Sequence, residues 1–127
     1  VLRDGVLYVT CRNGILYAID SRGGKERWTY QAADALRSTP SLSGNLVLFG
    51  DDDGAVYAVD RTAGRLSWKT GIGGHIWTSP VVLGDAVFSG STNGAFVSLD
   101  RGTGSVRWRR EFDGQILSTA YATEKAV

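Results

Sequence analysis

Three stretches decide the fold: Asn13-Gly14-Ile15-Leu16-Tyr17-Ala18-Ile19-Asp20, running on through Gly24 to Trp28; Asp53-Gly54-Ala55-Val56-Tyr57-Ala58-Val59-Asp60, through Gly64 to Trp68; and Asn93-Gly94-Ala95-Phe96-Val97-Ser98-Leu99-Asp100, through Gly104 to Trp108. Each copy follows the last by 40 residues. Self-similarity at a fixed period of about 40 residues marks a repeat architecture, in which one small unit recurs and buries its faces against its neighbours.

Working outward from these stretches, each unit reads as four short strands. In the middle copy a first strand is expected near Ser38 to Leu42, turning at Ser43-Gly44-Asn45 into a second, Leu46 to Phe49. Asp53-Gly54, like Asn13-Gly14 and Asn93-Gly94, signals a two-residue hairpin turn, where Gly and Asn tolerate positive φ. The third strand runs from Ala55 to Asp60, and a loop ending at Gly64 leads to a fourth, Arg65 to Thr70. In that loop Asp60 can accept a nearby backbone N–H and Gly64 can turn left-handed.

The second and third strands are nearly continuous apolar runs, such as Leu46-Val47-Leu48-Phe49, so both faces of each sheet must be covered. The fourth strand alternates: Leu66, Trp68 and Thr70 share one face, Arg65, Ser67 and Lys69 the other. Its charges fit an outer edge. Pro40 and Pro80 fall in the first strand, where proline is acceptable only at an edge. A four-stranded meander with both edges free and both faces covered by its own kind is a β-propeller blade, first strand innermost. The fold is therefore all-β, a partial propeller. Residues 1–30 form a blade lacking most of its innermost strand, 37–70 and 77–110 two full blades, and 116–127 the start of the next.

Composition narrows the function classes. The 127 residues carry a formal net charge of +1 and 43% apolar content, enough for a core and without a global field to attract nucleic acid. Seventeen glycines against two prolines fit many tight turns. The single cysteine, Cys11, excludes an internal disulfide. No run of 18 apolar residues and no signal-peptide pattern is present. The chain starts at Val1 without methionine and within a repeat, which reads as a piece of a longer protein with further blades.

The repeated residues resemble a known family. Ala18-Ile19-Asp20 with Gly24 and Trp28, then Ala58-Val59-Asp60 with Gly64 and Trp68, are similar to the tryptophan-docking motif of PQQ-type (pyrroloquinoline quinone enzyme) propeller repeats. The third copy, with Asp100, Gly104 and Trp108, departs by one residue, Ser98 for alanine. Ser38-Thr39-Pro40-Ser41 and Thr78-Ser79-Pro80 resemble the innermost strand of such repeats; Ser118-Thr119-Ala120 lacks the proline. The resemblance implies that each tryptophan wedges between blades and that its N–H finds a backbone carbonyl. It also implies an extracytoplasmic location. Family members fall into two groups. Quinoprotein dehydrogenases would bring PQQ, a calcium ion, an aspartate base and commonly a pair of adjacent cysteines; Thr10 and Arg12 flank Cys11, so that pair is absent. Members without a cofactor, BamB-like proteins and the sensor domains of some bacterial kinases, are closer in character to this chain. No cofactor and no catalytic residue is therefore expected here.

Asp51-Asp52-Asp53 has the clustered carboxylates of a calcium loop, but the matching turns read Cys11-Arg12-Asn13 and Ser91-Thr92-Asn93, so turn chemistry is the better reading. His75 is the only histidine, leaving no partner for a catalytic triad. Arg107, Arg109 and Arg110 around Trp108 read as a solvated edge. The connections between blades, residues 31–37, 71–77 and 111–117, emerge on the side of the second-to-third turns, and there the copies disagree: Ala35, His75 and Gln115 are equivalent, as are Arg37, Trp77 and Leu117. A scaffold that varies on one face and repeats on the other binds on the variable face. The candidate binding residues are Arg37, Asp52, His75 and Trp77, and the expected partner is a protein or peptide.

Overall fold

The computed structural model describes residues 1–117 and 119. The expected start of a fourth blade over 116–127 lies outside the described residues apart from Ile116, Leu117 and Thr119. Twelve strands appear among the described residues: β1 Leu2–Arg3, β2 Val6–Thr10, β3 Ile15–Asp20, β4 Glu26–Gln31, β5 Ser41–Ser43, β6 Leu46–Gly50, β7 Ala55–Asp60, β8 Leu66–Gly71, β9 Val81–Leu83, β10 Ala86–Gly90, β11 Ala95–Asp100 and β12 Val106–Glu111. They form three antiparallel sheets, each paired in chain order from first strand to fourth. The sheets stack face to face about their first strands: β5 and β9 touch, and the Ser41 hydroxyl donates to the Pro80 carbonyl.

Two local expectations are corrected. Pairing of the first strand starts after the proline, at Ser41 and Val81 rather than at Ser38, because proline has no N–H for the ladder. Since the paired portion is only three residues long, the first sheet, expected to lack most of this strand, keeps two of them in β1. The turn between second and third strands is also longer than two residues. Cys11 pairs with Ile15 and encloses Arg12, Asn13 and Gly14, with Gly14 N–H on the Cys11 carbonyl. Gly14, Gly54 and Gly94 have φ of 87°, 83° and 87°, while the residue before each stays at negative φ. This is the three-residue hairpin with one left-handed glycine.

All three sheets share a bulge between third and fourth strands, at Ala18/Ile19, Ala58/Val59 and Ser98/Leu99. It inserts one unpaired residue, Ser67 in the middle sheet, and interrupts the alternation expected from Arg65 to Thr70. Trp68 is buried and Thr70 half-buried, but Leu66 is exposed.

The core lies between the sheets. Tyr8, Leu16 and Ala18 of the first pack against Val47, Phe49, Tyr57 and Val59 of the second. Leu48, Val56 and Ala58, on the other side of the second sheet, pack against Val87, Val97 and Leu99. The middle sheet is thus buried on both faces, as the apolar runs of β6 and β7 require. Ile76 anchors the connection from the second sheet to the third at the end of β6. A Cβ on Gly50 would lie 2.1 Å from Ile76 Cγ2, so Gly50 is needed for close approach rather than for its backbone angle.

Gly50→Ala is expected to lower unfolding free energy by about 1–3 kcal/mol through overpacking; urea denaturation measures the loss. Trp68→Ala removes an indole that is 6% exposed and should cost roughly 3–5 kcal/mol. Trp108→Ala, at a position 46% exposed, should cost far less in the same assay.

Candidate functional site

Each connection between sheets folds back over the turn joining the second and third strands. Leu36 N–H reaches the Cys11 carbonyl at 3.3 Å and Ile76 N–H the Asp51 carbonyl at 3.0 Å. Leu36 and Ile76 are buried, and the residues on either side of them, 35 and 37, 75 and 77, are left towards the surface. The third turn meets the connection before it in the same way, through Thr92 N–H on the His75 carbonyl at 2.9 Å and His75 N–H on Thr92 Oγ1 at 2.9 Å.

This arrangement brings Arg37, Asp52, His75 and Trp77 into one cluster, with Asp52 at its centre. Asp52 N–H donates to the Ala35 carbonyl at 2.9 Å. One carboxylate oxygen accepts Arg37 Nε at 2.7 Å and the other accepts Trp77 Nε1 at 2.8 Å. His75 Nδ1 lies 2.6 Å from the Asp52 carbonyl; a carbonyl only accepts, so Nδ1 carries the hydrogen and Nε2 is the acceptor of the neutral ring. The His75 ring stacks on Trp77 at 5.6 Å between centroids and 8° between planes. Arg37 Cζ sits 5.7 Å from the Trp77 ring centroid, within cation–π range. The result is an aromatic shelf edged by a guanidinium. Trp77 stays 39% exposed, while the Asp52 side chain is 11% exposed. The carboxylate holds the shelf in place and the rings face solvent.

The three acidic residues of this turn do not converge. Asp51 is fully buried; its Oδ1 accepts the N–H groups of Asp53 and Ala55, and its Oδ2 accepts the Tyr57 hydroxyl at 2.7 Å. Burial first, and the Asp51 carboxylate with it, push the Tyr57 hydroxyl pKa well up. Asp52 serves the cluster just described, and Asp53 is exposed. Among the described residues no group of three or more His, Cys, Asp or Glu side chains is placed to hold a metal. The Asp51 and Asp52 carboxylates are committed to N–H and O–H groups and do not converge with Asp53 as a calcium loop requires. In the first and third sheets Asn13 and Asn93 accept the turn N–H instead; only the second sheet hands the task to Asp51, whose value depends on Tyr57 and could not be seen from spacing.

The recurring Asp, Gly and Trp residues lie at the outer ends of the sheets, away from the cluster. Trp28 Nε1 donates to the Arg61 carbonyl at 2.9 Å and Trp68 Nε1 to the Arg101 carbonyl at 2.7 Å. Each indole covers a glycine of the next sheet: a Cβ on Gly64 would be 2.6 Å from Trp28, and one on Gly104 2.5 Å from Trp68. The Asp side chains brace the same loops. Asp60 accepts the N–H groups of Thr62 and Ala63 at 2.7 and 2.9 Å, Asp100 those of Gly102 and Thr103 at 2.9 and 3.0 Å, and Asp20 that of Arg22 at 2.9 Å. Arg61 and Arg101 also reach back across the seam, to Asp4 at 3.0 Å and to Ser43 at 3.4 Å, a tie that spacing did not reveal because position 21 of the first copy is serine.

These carboxylates titrate below the usual range. Backbone donation from Arg22 and from Ala63 is the first cause at Asp20 and Asp60, whereas the Arg107 side chain is the first cause at Asp85 and Asp100. Arg107 bridges Asp85 at 3.0 Å and Asp100 at 2.8 Å, and Arg109 pairs with Glu111 at 2.6 Å. Two of the three β12 arginines are thus answered by acids of the same sheet, which leaves no basic stripe for a phosphate backbone.

Three stacked four-stranded meanders hinged on their first strands define a segment of a β-propeller. A family model described as outer membrane protein assembly factor BamB matches residues 1–74 and 52–127, and the chain belongs to this family of PQQ-like propeller repeats. The solved structure of BamB from Moraxella catarrhalis superposes with a TM-score of 0.76 at 26% identity, over 84% of this chain and 34% of that one. Quinohemoprotein alcohol dehydrogenase from Comamonas testosteroni superposes with a TM-score of 0.77 at 26% identity, over 87% of this chain and 20% of that one. In sequence, quinoprotein alcohol dehydrogenase PedH of Pseudomonas putida is 36% identical over 62 residues, 42% of this chain and 10% of the relative. The chain spans about a third of the BamB chain, a fifth of the Comamonas enzyme and a tenth of PedH in these matches. Among the described residues no helix is long and apolar enough to cross a membrane.

The carboxylate shifts set a pH dependence. A group whose folded pKa is depressed contributes stability that is fully present above its unfolded value and is lost as pH falls through the folded one. Melting temperature should therefore fall steadily as pH drops below about 4, the unfolded carboxylate range. Asp60→Asn, which keeps the acceptor and removes the ionisation, should show a shallower fall by calorimetry from pH 5 to 2; an unchanged slope would exclude Asp60 as a contributor.

Proposed function

We propose that this segment is a non-catalytic scaffold that binds a protein or peptide on the surface formed by Arg37, Asp52, His75 and Trp77, within a protein working outside the cytoplasm. The observation that carries the reading is the convergence of these four side chains, from two successive connections and one turn, on the face where the repeats differ. An exposed indole stacked on an imidazole and edged by arginine has the composition of an interface anchor, since Trp and Arg dominate binding hot spots. The family's description as an outer membrane protein assembly factor, and the likeness to BamB, support a role in handling proteins at that membrane.

The identity with PedH and the likeness to the Comamonas enzyme favour a second reading, in which the segment belongs to a quinoprotein dehydrogenase whose PQQ and calcium are held by other blades. This reading places the cofactor chemistry elsewhere in the polypeptide.

The two readings separate by experiment. A peptide selected from a display library on the immobilised protein should lose at least about tenfold in affinity on Trp77→Ala and on Arg37→Ala, with both variants still folded by far-UV circular dichroism. Unchanged affinity in both variants would remove the scaffold reading at this surface. Dye-linked alcohol oxidation by the complete polypeptide supplied with PQQ and calcium would establish the second.

A further inference from the structure

The seam between the first and second sheets carries a pocket whose charged residues, Arg61 aside, have no counterpart in the seam between the second and third. The pocket measures about 170 Å³ and has both walls within this chain. Arg3, Asp4, Tyr8, Arg27 and Trp28 reach it from the first sheet and its turns, and Arg61 from the second. One period on, the equivalents of the first five are Ser43, Gly44, Leu48, Ser67 and Trp68, and that of Arg61 is Arg101. The second seam thus stacks with one of these arginines where the first has three, and without the tyrosine or the aspartate. A charged rim that one seam does without is not a condition of stacking.

Hydrogen-bond donors around the pocket outnumber acceptors. Arg61 Nη1 lies 3.0 Å from Asp4 Oδ2 and Arg27 Nη2 3.3 Å from Asp20 Oδ2, while Arg3 has no ion-pair partner among the described residues. Even with both acids counted, one guanidinium is in excess. Arg61 Nε is buried without a hydrogen-bond partner among the described residues; Arg101 Nε shares this, so that feature belongs to the repeat. Tyr8 belongs to the first seam alone. It is 2% exposed, and its hydroxyl lies beside the Arg61 guanidinium, which offers hydrogens and accepts none. Burial pushes the Tyr8 pKa up, with Arg61 acting in the other direction, so the hydroxyl keeps its proton, and that proton meets no acceptor among the described residues. Asp4 adds a backbone observation. Its φ is 53°, and it is the one non-glycine residue at positive φ among the described residues, where the equivalent Gly44 and Gly84 have φ of 55° and 60°. Aspartate enters this region at a strain that glycine avoids, and its carboxylate there holds Arg61 at the pocket.

We infer that this pocket binds a single small oxyanion, a phosphate or a carboxylate, through Arg3, Arg27, Arg61 and the Tyr8 hydroxyl. Guanidinium forks match the paired oxygens of either group, the tyrosine adds a neutral donor, and a ligand that only accepts is what a surplus of donors calls for. The volume sets the size: about 170 Å³ falls below the roughly 300–1,000 Å³ of sites that enclose larger organic ligands. The pocket lies at the outer ends of the sheets, away from the cluster around Trp77, and its occupancy is tested apart from binding there.

The test is titration of the protein with sodium phosphate and, separately, with sodium acetate, at an ionic strength held constant with sodium chloride and followed by proton–nitrogen correlation NMR. The Trp28 indole N–H, bonded to the Arg61 carbonyl, reports on the pocket, and the Trp68 indole N–H, bonded to the Arg101 carbonyl, holds the same place in the second seam. Saturable movement of the Trp28 signal with the Trp68 signal still is expected for one anion or both, and a response to one alone identifies the group. Tyr8→Phe removes a single oxygen and should weaken binding about tenfold; Arg3→Gln and Arg27→Gln together should weaken it at least as much. Arg65→Gln, at an exposed position outside the pocket, changes the net charge but should leave the affinity as it is. Far-UV circular dichroism checks that each variant stays folded. No saturation with either anion, equal movement of the Trp68 signal, an affinity unchanged by Tyr8→Phe, or one lowered as much by Arg65→Gln as by the pocket variants would each overturn the inference.

Discussion

An indole laid across a backbone turn of the next sheet is the contact on which the stack depends. It joins two requirements in one place. The turn must be tight enough to present a carbonyl to the indole N–H, which the braced Asp side chain and the left-handed glycine provide, and it must carry no Cβ where the ring lies. Gly64 and Gly104 answer both, so replacing either one affects conformation and contact together. Burial of a ring of this size removes on the order of 150–250 Å² from water. That gain explains why a sheet whose own edges are short and free can still be held in register with its neighbour.

What could be read from the sequence follows from what a fixed period reports. Strand order, both edges, the doubly buried β6 and β7 and the side from which the connections emerge are properties of every copy, and they were legible. Features arising from a single copy or from the ladder itself were not. The bulge opposite Ala58 displaces Leu66 from the buried face because one residue goes unpaired, and no apolar pattern encodes that. The proline before β5 delays pairing through its missing N–H, a rule that proximity to a strand obscures. Asp51 looked like its neighbours Asp52 and Asp53, and only Tyr57 and the Ala55 N–H distinguish it.

The candidate surface was legible as a difference and illegible as a structure. Arg37, His75 and Trp77 were singled out because their equivalents disagree, and Asp52 because it lies on the same side. That Asp52 ties the other three together depends on its position between two successive connections, one 15 residues before it and the other about 25 after it. Such a placement arises from stacking rather than from local sequence. The equivalent residues show the consequence. Thr92 occupies the place of Asp52 in the third turn and makes backbone contacts to His75, but a hydroxyl cannot serve a guanidinium and an indole at once. The aromatic shelf is therefore a property of one seam.

That singularity bears on how a repeated fold acquires a specific site. The seam contacts through Trp, Gly and Asp use backbone atoms as acceptors, so they make few demands on neighbouring side chains and tolerate change in the connections. The connections themselves are held by buried apolar residues, Ala32 and Leu36 in one and Ile72 and Ile76 in the other, and by backbone hydrogen bonds. The side chains at positions 35, 37, 75 and 77 are consequently not dictated by the stacking of the sheets. A carboxylate at position 52 costs little in exposed form but becomes 89% covered once an arginine and an indole converge on it, and the charge is then compensated by the guanidinium, as a buried carboxylate requires. Removing Arg37 would leave Asp52 with one neutral donor in a largely enclosed place, which is why the guanidinium is as much a support for the shelf as a part of its surface.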